Sequence, residues 1–159
     1  KDTLKIVSYL QNNSYLIFMV SNQPGIAKGF FTIQDVDKFN SKIQHELIKY
    51  GLNPLDGIYI CPHHPEKGHK GEVEKLKIKC NCRKPKTGLI EKLINDNNLE
   101  NSSFIVLGDT FSDYELSLKL KIPFYLIESM LTEKEKFKKF KIDPVKDVDK
   151  FITHLEKIN

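Results

Sequence analysis

Short apolar runs alternate along this chain with longer segments of helical periodicity, and this alternation restricts the fold more than any other feature. Four runs rich in β-branched and aromatic residues are predicted to be buried strands, at residues 15–20, 58–60, 104–107 and 124–127. A helical pattern separates each run from the next. Because this order produces right-handed crossovers, we predict an α/β, Rossmann-like fold: a parallel sheet with helices on both faces.

Six segments have the periodicity of amphipathic helices, at residues 2–11, 34–50, 87–98, 112–120, 132–139 and about 145–157. Thr32, followed three residues later by Asp35, is a plausible N-cap for the second helix. With 159 residues and 40% hydrophobic content, the chain can bury the core of one domain and is too short for two ordinary ones. We therefore predict a single domain over residues 1–159.

Polar residues follow three of the predicted strands, where ligands of parallel α/β sheets bind. These segments are Ser21-Asn22-Gln23, Cys61-Pro62-His63-His64 and Gly108-Asp109-Thr110. The carboxylate that follows Gly108 is a suitable anchor for Mg²⁺, which prefers a few hard oxygen ligands and retains water. The strand ends thus predict metal or phosphate chemistry.

All three cysteines lie in one region, as Cys61-x-His63, then sixteen residues, then Cys80-x-Cys82. Three thiolates and an imidazole match a closed tetrahedral zinc site, with His64 and His69 as alternatives to His63 for the fourth ligand. Four protein ligands leave no open coordination position. The pattern therefore predicts a structural zinc that ties a polar loop, at about residues 61–82, to the sheet.

Arg83 is the single arginine among 25 basic residues, and it directly follows the last cysteine. Its flat guanidinium offers several donors in a geometry that lysine cannot imitate and that phosphate fits well. Lys84 stands beside it. Arg83 is therefore a candidate for recognition of a phosphorylated substrate.

The remaining charges and the hydropathy do not indicate a nucleic-acid or membrane partner. The net charge is +4, but lysines are scattered among acids, and residues 134–141 alternate lysine with glutamate and phenylalanine, as in an amphipathic surface helix. The longest apolar run, residues 15–20, is far shorter than the roughly 18 residues needed to cross a bilayer. We predict a soluble, cytoplasmic monomer.

Four signatures in the same order give the chain a resemblance to a known family. They lie at residues 21–29, 61–65, 80–85 and 108–113. The chain resembles, over about residues 1–127, the heptose-bisphosphate and histidinol-phosphate phosphatase branch of the haloacid dehalogenase superfamily. The resemblance implies a haloacid dehalogenase-like fold with a zinc-binding loop insert, and a Mg²⁺-dependent phosphatase.

The resemblance also implies roles for individual residues. Ser21 would donate a hydrogen bond to the transferring phosphoryl group, and Lys84 would neutralise its charge, as expected for a group that spreads negative charge over its oxygens. Asp109 would bind Mg²⁺ and Asp113 would support the site. The implied substrate-site residues are Asn22, Gln23, Arg83 and Thr110, and the implied zinc ligands are Cys61, His63, Cys80 and Cys82.

The nucleophile of that family, an aspartate in an Asp-x-Asp-Gly-Thr segment, has no counterpart here. The Asp-x-Asp stretches at residues 35–37 and 147–149 lie in helical patterns and lack the following Gly-Thr. In the family this segment ends the central strand of the sheet, and a sheet without it would leave backbone groups unpaired. We expect some 30 upstream residues in the biological protein, which carry the aspartate that forms an aspartyl-phosphate.

Several functions remain open at this level. The favoured substrate is a small phosphorylated metabolite, heptose 1,7-bisphosphate of cell-surface polysaccharide synthesis, with histidinol phosphate as the alternative. A non-catalytic, zinc-stabilised domain that only binds a phosphorylated ligand is a different class of function. Processing of nucleic-acid ends would require a basic groove, which the sequence does not indicate.

Overall fold

The computed structural model of the chain describes residues 2–158. These residues form two compact units, with the boundary between Arg83 and Lys84. Each unit contains one two-stranded parallel sheet of its own.

The first unit alternates helices with two strands. Its elements are α1 (Asp2–Asn12), β1 (Phe18–Asn22), α2 (Pro24–Ala27), α3 (Ile33–Lys49), β2 (Gly57–Cys61) and a single 3-10 turn (Glu74–Leu76). β1 and β2 pair in parallel, from Phe18 opposite Gly57 to Asn22 opposite Cys61. The carboxyl ends of both strands therefore lie at the same edge of this sheet.

The core of the first unit is built from one face of each helix, because apolar residues at helical spacing must be covered. Its buried hydrophobic residues are Ile6, Leu10, Ile26, Ala27, Val36, Leu47 and Cys61. The predicted cap of α3 is confirmed. The Thr32 hydroxyl oxygen accepts a hydrogen bond from the Asp35 N–H at 3.1 Å, and the Asp35 carboxylate accepts one from the Thr32 N–H at 2.9 Å.

The second unit repeats the alternation. Its elements are α4 (Gly88–Asn97), β3 (Val106–Gly108), α5 (Phe111–Leu120), β4 (Phe124–Leu126), α6 (Lys134–Lys139) and α7 (Val148–Ile158). β3 and β4 pair in parallel, from Val106 opposite Phe124 to Gly108 opposite Leu126. One more hydrogen bond, from the Ile127 N–H to the Gly108 carbonyl at 2.9 Å, extends this pairing beyond the end of β4.

An aromatic cluster packs in the second unit. Phe111 and Phe137 are 5% and 1% exposed, and their rings lie 5.5 Å apart, with Tyr114 and Phe124 packed against them. On the outer side of α6 the lysines form ion pairs with glutamates, such as Lys138 with Glu135 at 2.8 Å. α6 is therefore the amphipathic surface helix that its sequence predicts.

The predicted α/β class with parallel strands is confirmed, whereas the single sheet is not found. Among residues 2–158 the strands form two separate pairs, β1 with β2 and β3 with β4. The first strand begins at Phe18 rather than at residue 15, because the Tyr15 N–H donates to the Leu10 carbonyl and closes α1. The third strand begins at Val106 rather than at residue 104, because the first ladder bond is from the Val106 N–H to the Pro123 carbonyl.

Two short elements were not predicted. α2 covers four residues and starts at Pro24, so its Pro-Gly sequence reads as a turn, and the 3-10 turn lies inside the polar loop. Across the described helices, none combines the length and apolar content needed to cross a membrane.

Candidate functional site

Four side chains of the first unit converge on one point. The ligand atoms of Cys61, His63, Cys80 and Cys82 all lie within 4.8 Å of one another. The sulfur of Cys61 is 3.5 Å from that of Cys80 and 3.0 Å from that of Cys82, and His63 Nδ1 is 3.2 Å from the Cys82 sulfur. Zinc–ligand bonds of about 2.0–2.3 Å place tetrahedral ligands at about such separations. The donor set and its spacing fit one zinc ion.

The three candidate histidines occupy different surroundings. His63 lies in the cluster, whereas the His64 ring lies beside Glu66, with Nε2 3.8 Å from its carboxylate, and the His69 ring packs edge-on against Phe30 at 5.7 Å. Burial raises the pKa of the Cys61 thiol and of the Cys82 thiol. The geometry therefore favours His63 over its two neighbours as the fourth ligand.

The loop at residues 62–79 is fastened to α2 and to the residues just after it. The Val73 N–H donates to the Ala27 carbonyl at 3.0 Å. Gly29 has φ +73°, and a Cβ on it would lie 2.0 Å from the carbonyl oxygen of Gly71. Only glycine permits this close approach of two backbones.

A buried ion pair organises the same loop internally. The Lys77 side chain is fully buried, and its ammonium lies 3.2 Å from the Glu72 carboxylate. Glu72 also accepts hydrogen bonds from the N–H groups of His69 and Gly68, at 3.1 and 3.0 Å. The hydrogen bond from His69 is the main cause of a lowered pKa of Glu72. The loop thus has a polar core of its own.

The end of β1 carries Ser21 and Asn22, with Gln23 immediately after it. The Gln23 side-chain amide donates to the Ser21 hydroxyl oxygen at 3.0 Å, and the Gln23 N–H donates to the Cys61 carbonyl at 2.8 Å. Because Ser21 accepts with its oxygen, its own proton is available for another acceptor. The cysteine cluster and these polar residues therefore share one fixed strand edge.

Arg83 and His64 each hold a buried polar atom without a partner in the described part of the chain. These atoms are Arg83 Nη1 and His64 Nδ1. Burial is the main cause of a lowered pKa of His64, and the positive charges of Lys28 and Arg83 lower it further. Buried donors rarely stay unpaired in proteins. A buried guanidinium nitrogen that lacks a protein partner is suited to bind an anionic oxygen of a ligand.

In the second unit, Asp113 holds Lys84. The Lys84 ammonium lies 2.6 Å from Asp113 Oδ1, and the two side chains are 13% and 7% exposed. The second oxygen, Oδ2, accepts hydrogen bonds from the Thr110 N–H at 3.1 Å and from the Thr110 hydroxyl at 2.6 Å. Both carboxylate oxygens of Asp113 are therefore engaged by protein groups, as suits a supporting residue.

Asp109 lies directly beyond β3, and the glycine before it allows α5 to begin at once. A Cβ on Gly108 would lie 2.5 Å from the Cβ of Asp113. Asp109 Oδ2 accepts a hydrogen bond from the Ser129 hydroxyl at 2.5 Å. Its other oxygen, Oδ1, accepts no hydrogen bond from a described residue of its own unit. The donor set at Asp109, a strand-end carboxylate with one oxygen available, fits Mg²⁺.

Sequence reasoning missed Ser129 as a partner of Asp109. The signal was present, because Ser129 follows the predicted strand at residues 124–127 just as Asp109 follows another strand. Thr110 was predicted in the substrate site. Its hydroxyl donates to Asp113 and lies 2.9 Å from the Ser112 hydroxyl, so a substrate contact of Thr110 stays a prediction.

Comparison with protein families identifies one match over most of the chain. The family model described as polynucleotide kinase 3 phosphatase matches residues 1–139. This span includes every residue assigned above to zinc, magnesium or substrate.

Two curated relatives bear the same enzyme name, D-glycero-beta-D-manno-heptose-1,7-bisphosphate 7-phosphatase. The protein from Haemophilus ducreyi is 39% identical over 110 residues, which are 69% of this chain and 57% of that protein. The protein from Haemophilus influenzae is 29% identical over 152 residues, which are 93% of this chain and 79% of that protein. The chain thus spans just over half of the first relative. The predicted resemblance to heptose-bisphosphate phosphatases is confirmed.

A solved structure shows the same fold. It is D,D-heptose 1,7-bisphosphate phosphatase from B. bronchiseptica in complex with magnesium and phosphate. It superposes with a TM-score of 0.75 at 19% identity, over 99% of this chain and 83% of that one. At this identity the likeness establishes the fold alone.

Proposed function

The chain belongs to the polynucleotide kinase 3 phosphatase family, and from this membership we propose that it forms the larger part of a Mg²⁺-dependent phosphomonoesterase. The proposed substrate is a small phosphorylated metabolite, heptose 1,7-bisphosphate, after the names of the relatives. The observation that carries the proposal lies in the second unit. There Asp113 anchors the ammonium of Lys84 at the start of α5, and Asp109, the candidate metal ligand, precedes the N-cap residue of that helix.

The proposed chemistry at these residues follows from charge. Mg²⁺ held by Asp109 would neutralise charge on a phosphoryl oxygen. In the second unit, Lys84, kept in place by Asp113, would add a fixed positive charge. In the first unit, the Ser21 hydroxyl, whose oxygen accepts from Gln23, is proposed as a phosphoryl donor from the family resemblance. Such preorganised donors stabilise the charge that develops in phosphoryl transfer.

The remaining substrate contacts are proposed for four residues, Asn22, Gln23, Arg83 and Thr110. Arg83 has the strongest support, because its Nη1 is buried and unpaired within the described residues. A second phosphate of a bisphosphate substrate would satisfy this group.

We further propose that Cys61, His63, Cys80 and Cys82 hold a structural zinc. All four coordination positions of the zinc would be filled by protein atoms, which lie within 4.8 Å of one another. No coordination position would remain for a substrate. Arg83 directly follows the ligand Cys82, so the zinc would fix the start of the Arg83-Lys84 pair.

The aspartate that accepts the phosphoryl group is proposed to lie outside these 159 residues, in an Asp-x-Asp segment of the same domain. Neither of the Asp-x-Asp stretches at residues 35–37 and 147–149 serves this role, because the first lies in α3 and the second crosses the start of α7. An aspartyl-phosphate on that segment would then be cleaved by water.

Phosphate release from a panel of substrates tests the proposal. The full-length protein is assayed with heptose 1,7-bisphosphate, histidinol phosphate and a 3′-phosphorylated oligonucleotide, the last because of the family's description. We expect the highest kcat/KM with heptose 1,7-bisphosphate, and loss of activity when Mg²⁺ is chelated. Preference for either other substrate would overturn the substrate assignment. No turnover of any, with binding retained, would instead indicate the non-catalytic phosphate-binding function.

A further inference from the structure

Ser129 makes the one hydrogen bond that the Asp109 carboxylate receives within the described part of its unit. The Ser129 hydroxyl donates to Asp109 Oδ2 at 2.5 Å, across twenty residues of sequence. A serine hydroxyl carries one proton, so this donation uses it completely. The contact fixes one oxygen of the carboxylate and leaves the other, Oδ1, without a donor among the described residues of the second unit.

The Ser129 side chain is itself held by a turn. The Leu131 N–H donates to the Ser129 hydroxyl oxygen at 3.0 Å, which turns the hydroxyl proton away from the turn. The Ser129 N–H in turn donates to the Thr132 hydroxyl at 2.9 Å. The first of these hydrogen bonds restrains the Ser129 hydroxyl and the second restrains its backbone, so the hydroxyl proton is directed at Asp109.

This turn is also fixed to the strand that carries Asp109. Ile127 continues the pairing of β4 with β3 through its N–H bond to the Gly108 carbonyl at 2.9 Å. Glu128, the next residue, forms an ion pair with Lys134 at 2.7 Å. Ser129 and Asp109 are therefore placed at adjacent strand ends by the same backbone ladder.

We propose that Ser129 is a positioning residue for the metal site of Asp109. This inference rests on the proposed function, because it takes Asp109 as the Mg²⁺ ligand. By holding Oδ2, Ser129 sets the rotation of the carboxylate and presents Oδ1 to the cation. Hydrogen bonds of this kind to metal ligands typically affect metal affinity by about 10–100-fold.

Mn²⁺ binding to the zinc-loaded, full-length protein tests the proposal, with free Mn²⁺ measured by electron paramagnetic resonance. Ser129→Ala is expected to weaken Mn²⁺ binding by about 10–100-fold. The concentration of Mg²⁺ needed for half-maximal activity should rise with it, while kcat at saturating Mg²⁺ changes little. Ser129→Thr, which keeps the hydroxyl, should restore most of the affinity. Ser103→Ala removes an exposed hydroxyl of the same unit and should bind as the unaltered protein does.

A second variant distinguishes the positioning role of Ser129 from the assignment of Asp109 as the metal ligand. Asp109→Asn should abolish Mn²⁺ binding at this site. If Asp109→Asn does so and Ser129→Ala binds Mn²⁺ normally, Ser129 only closes its turn and the inference is wrong. If Asp109→Asn itself binds Mn²⁺ normally, the proposed metal ligand is wrong. Thermal unfolding of Ser129→Ala should remain close to that of Ser103→Ala, since a general loss of structure would weaken binding for another reason.

Discussion

Asp113 links a lysine to the start of a helix, and it does so with both oxygens of one carboxylate. One oxygen lies 2.6 Å from the Lys84 ammonium, and the other caps α5 through Thr110. The pair is largely buried, so neither charge is well solvated. A buried charge without its partner is costly, which makes Asp113 a strong determinant of where Lys84 lies.

Replacing Asp113 by alanine should therefore destabilise the protein by about 3–5 kcal/mol, since it removes the carboxylate that lies 2.6 Å from the largely buried Lys84 ammonium. The matched control is Asp96→Ala, which removes an exposed pair with Lys92 at 2.8 Å and should cost less than about 1 kcal/mol. Urea unfolding of both variants measures the difference. Equal losses in the two variants would show that the Lys84 pair is not effectively buried.

At the scale of single residues, the sequence predicts well which residues belong to the site and poorly which of them form hydrogen bonds with each other. Asp109 could be selected because it follows a predicted strand, which is a local feature, whereas Asp113 and Lys84 were selected from the resemblance to a known family. The position of Ser129 after a predicted strand was also visible, but its hydrogen bond to Asp109 was not, because the two residues are twenty positions apart. Such a contact exists only once β3 and β4 are paired in a known register.

The loop at residues 62–79 shows how a polar segment becomes ordered without an apolar core. The Val73 N–H of the loop donates a hydrogen bond to α2, and the loop interior holds the Lys77–Glu72 ion pair. Gly71 of the loop packs closely against the backbone at Gly29. The cysteine cluster closes both ends of the loop. The loop is thus fastened by contacts at several separate points.

Gly29→Ala should loosen this loop, because its new Cβ would meet the Gly71 carbonyl oxygen at 2.0 Å in addition to backbone strain at φ +73°. Gly51→Ala is the control. Gly51 has φ +74° with nothing within 4 Å, so it carries the strain without the clash. Limited proteolysis should cut residues 62–79 faster in Gly29→Ala than in Gly51→Ala. Equal rates would mean that the close approach does not order the loop.

The bounds of an element were predicted closely where residues near it in sequence determine them, and poorly where hydrogen-bond partners distant in sequence determine them. The start of α3 was predicted from Thr32 and Asp35, which bond to each other across three residues. The ends of β1 and β3 were misplaced, because they depend on which backbone groups find partners elsewhere in the chain. Composition cannot supply that information.

At the scale of the whole molecule, the proposed zinc would link the fold to the proposed function. Cys61 ends β2, and Cys82 precedes the Arg83-Lys84 pair, so one ion would connect a strand end with two proposed substrate contacts. Structural zinc sites contribute on the order of 10 kcal/mol of apparent binding energy to folding. The family was recognisable from its ordered motifs, and the α/β class from the alternation of strands with helices.

Two single variants test the zinc assignment. Cys80→Ser and His63→Ala should each remove zinc, as measured by elemental analysis, and should lower the melting temperature and the phosphatase activity. His69→Ala, an imidazole of the same loop outside the cluster, should retain one zinc per chain. Full zinc content and unchanged stability in Cys80→Ser would refute the structural role.

The central claim, that the protein is a Mg²⁺-dependent phosphatase whose metal is held by Asp109, is tested most directly by ³¹P nuclear magnetic resonance. The full-length protein is mixed with heptose 1,7-bisphosphate and Mg²⁺, and the phosphate signals are followed over time. We predict that one of the two ester signals is replaced by inorganic phosphate, and that Asp109→Asn leaves both esters intact with zinc still bound. Hydrolysis by Asp109→Asn at the rate of the unaltered protein would contradict the account.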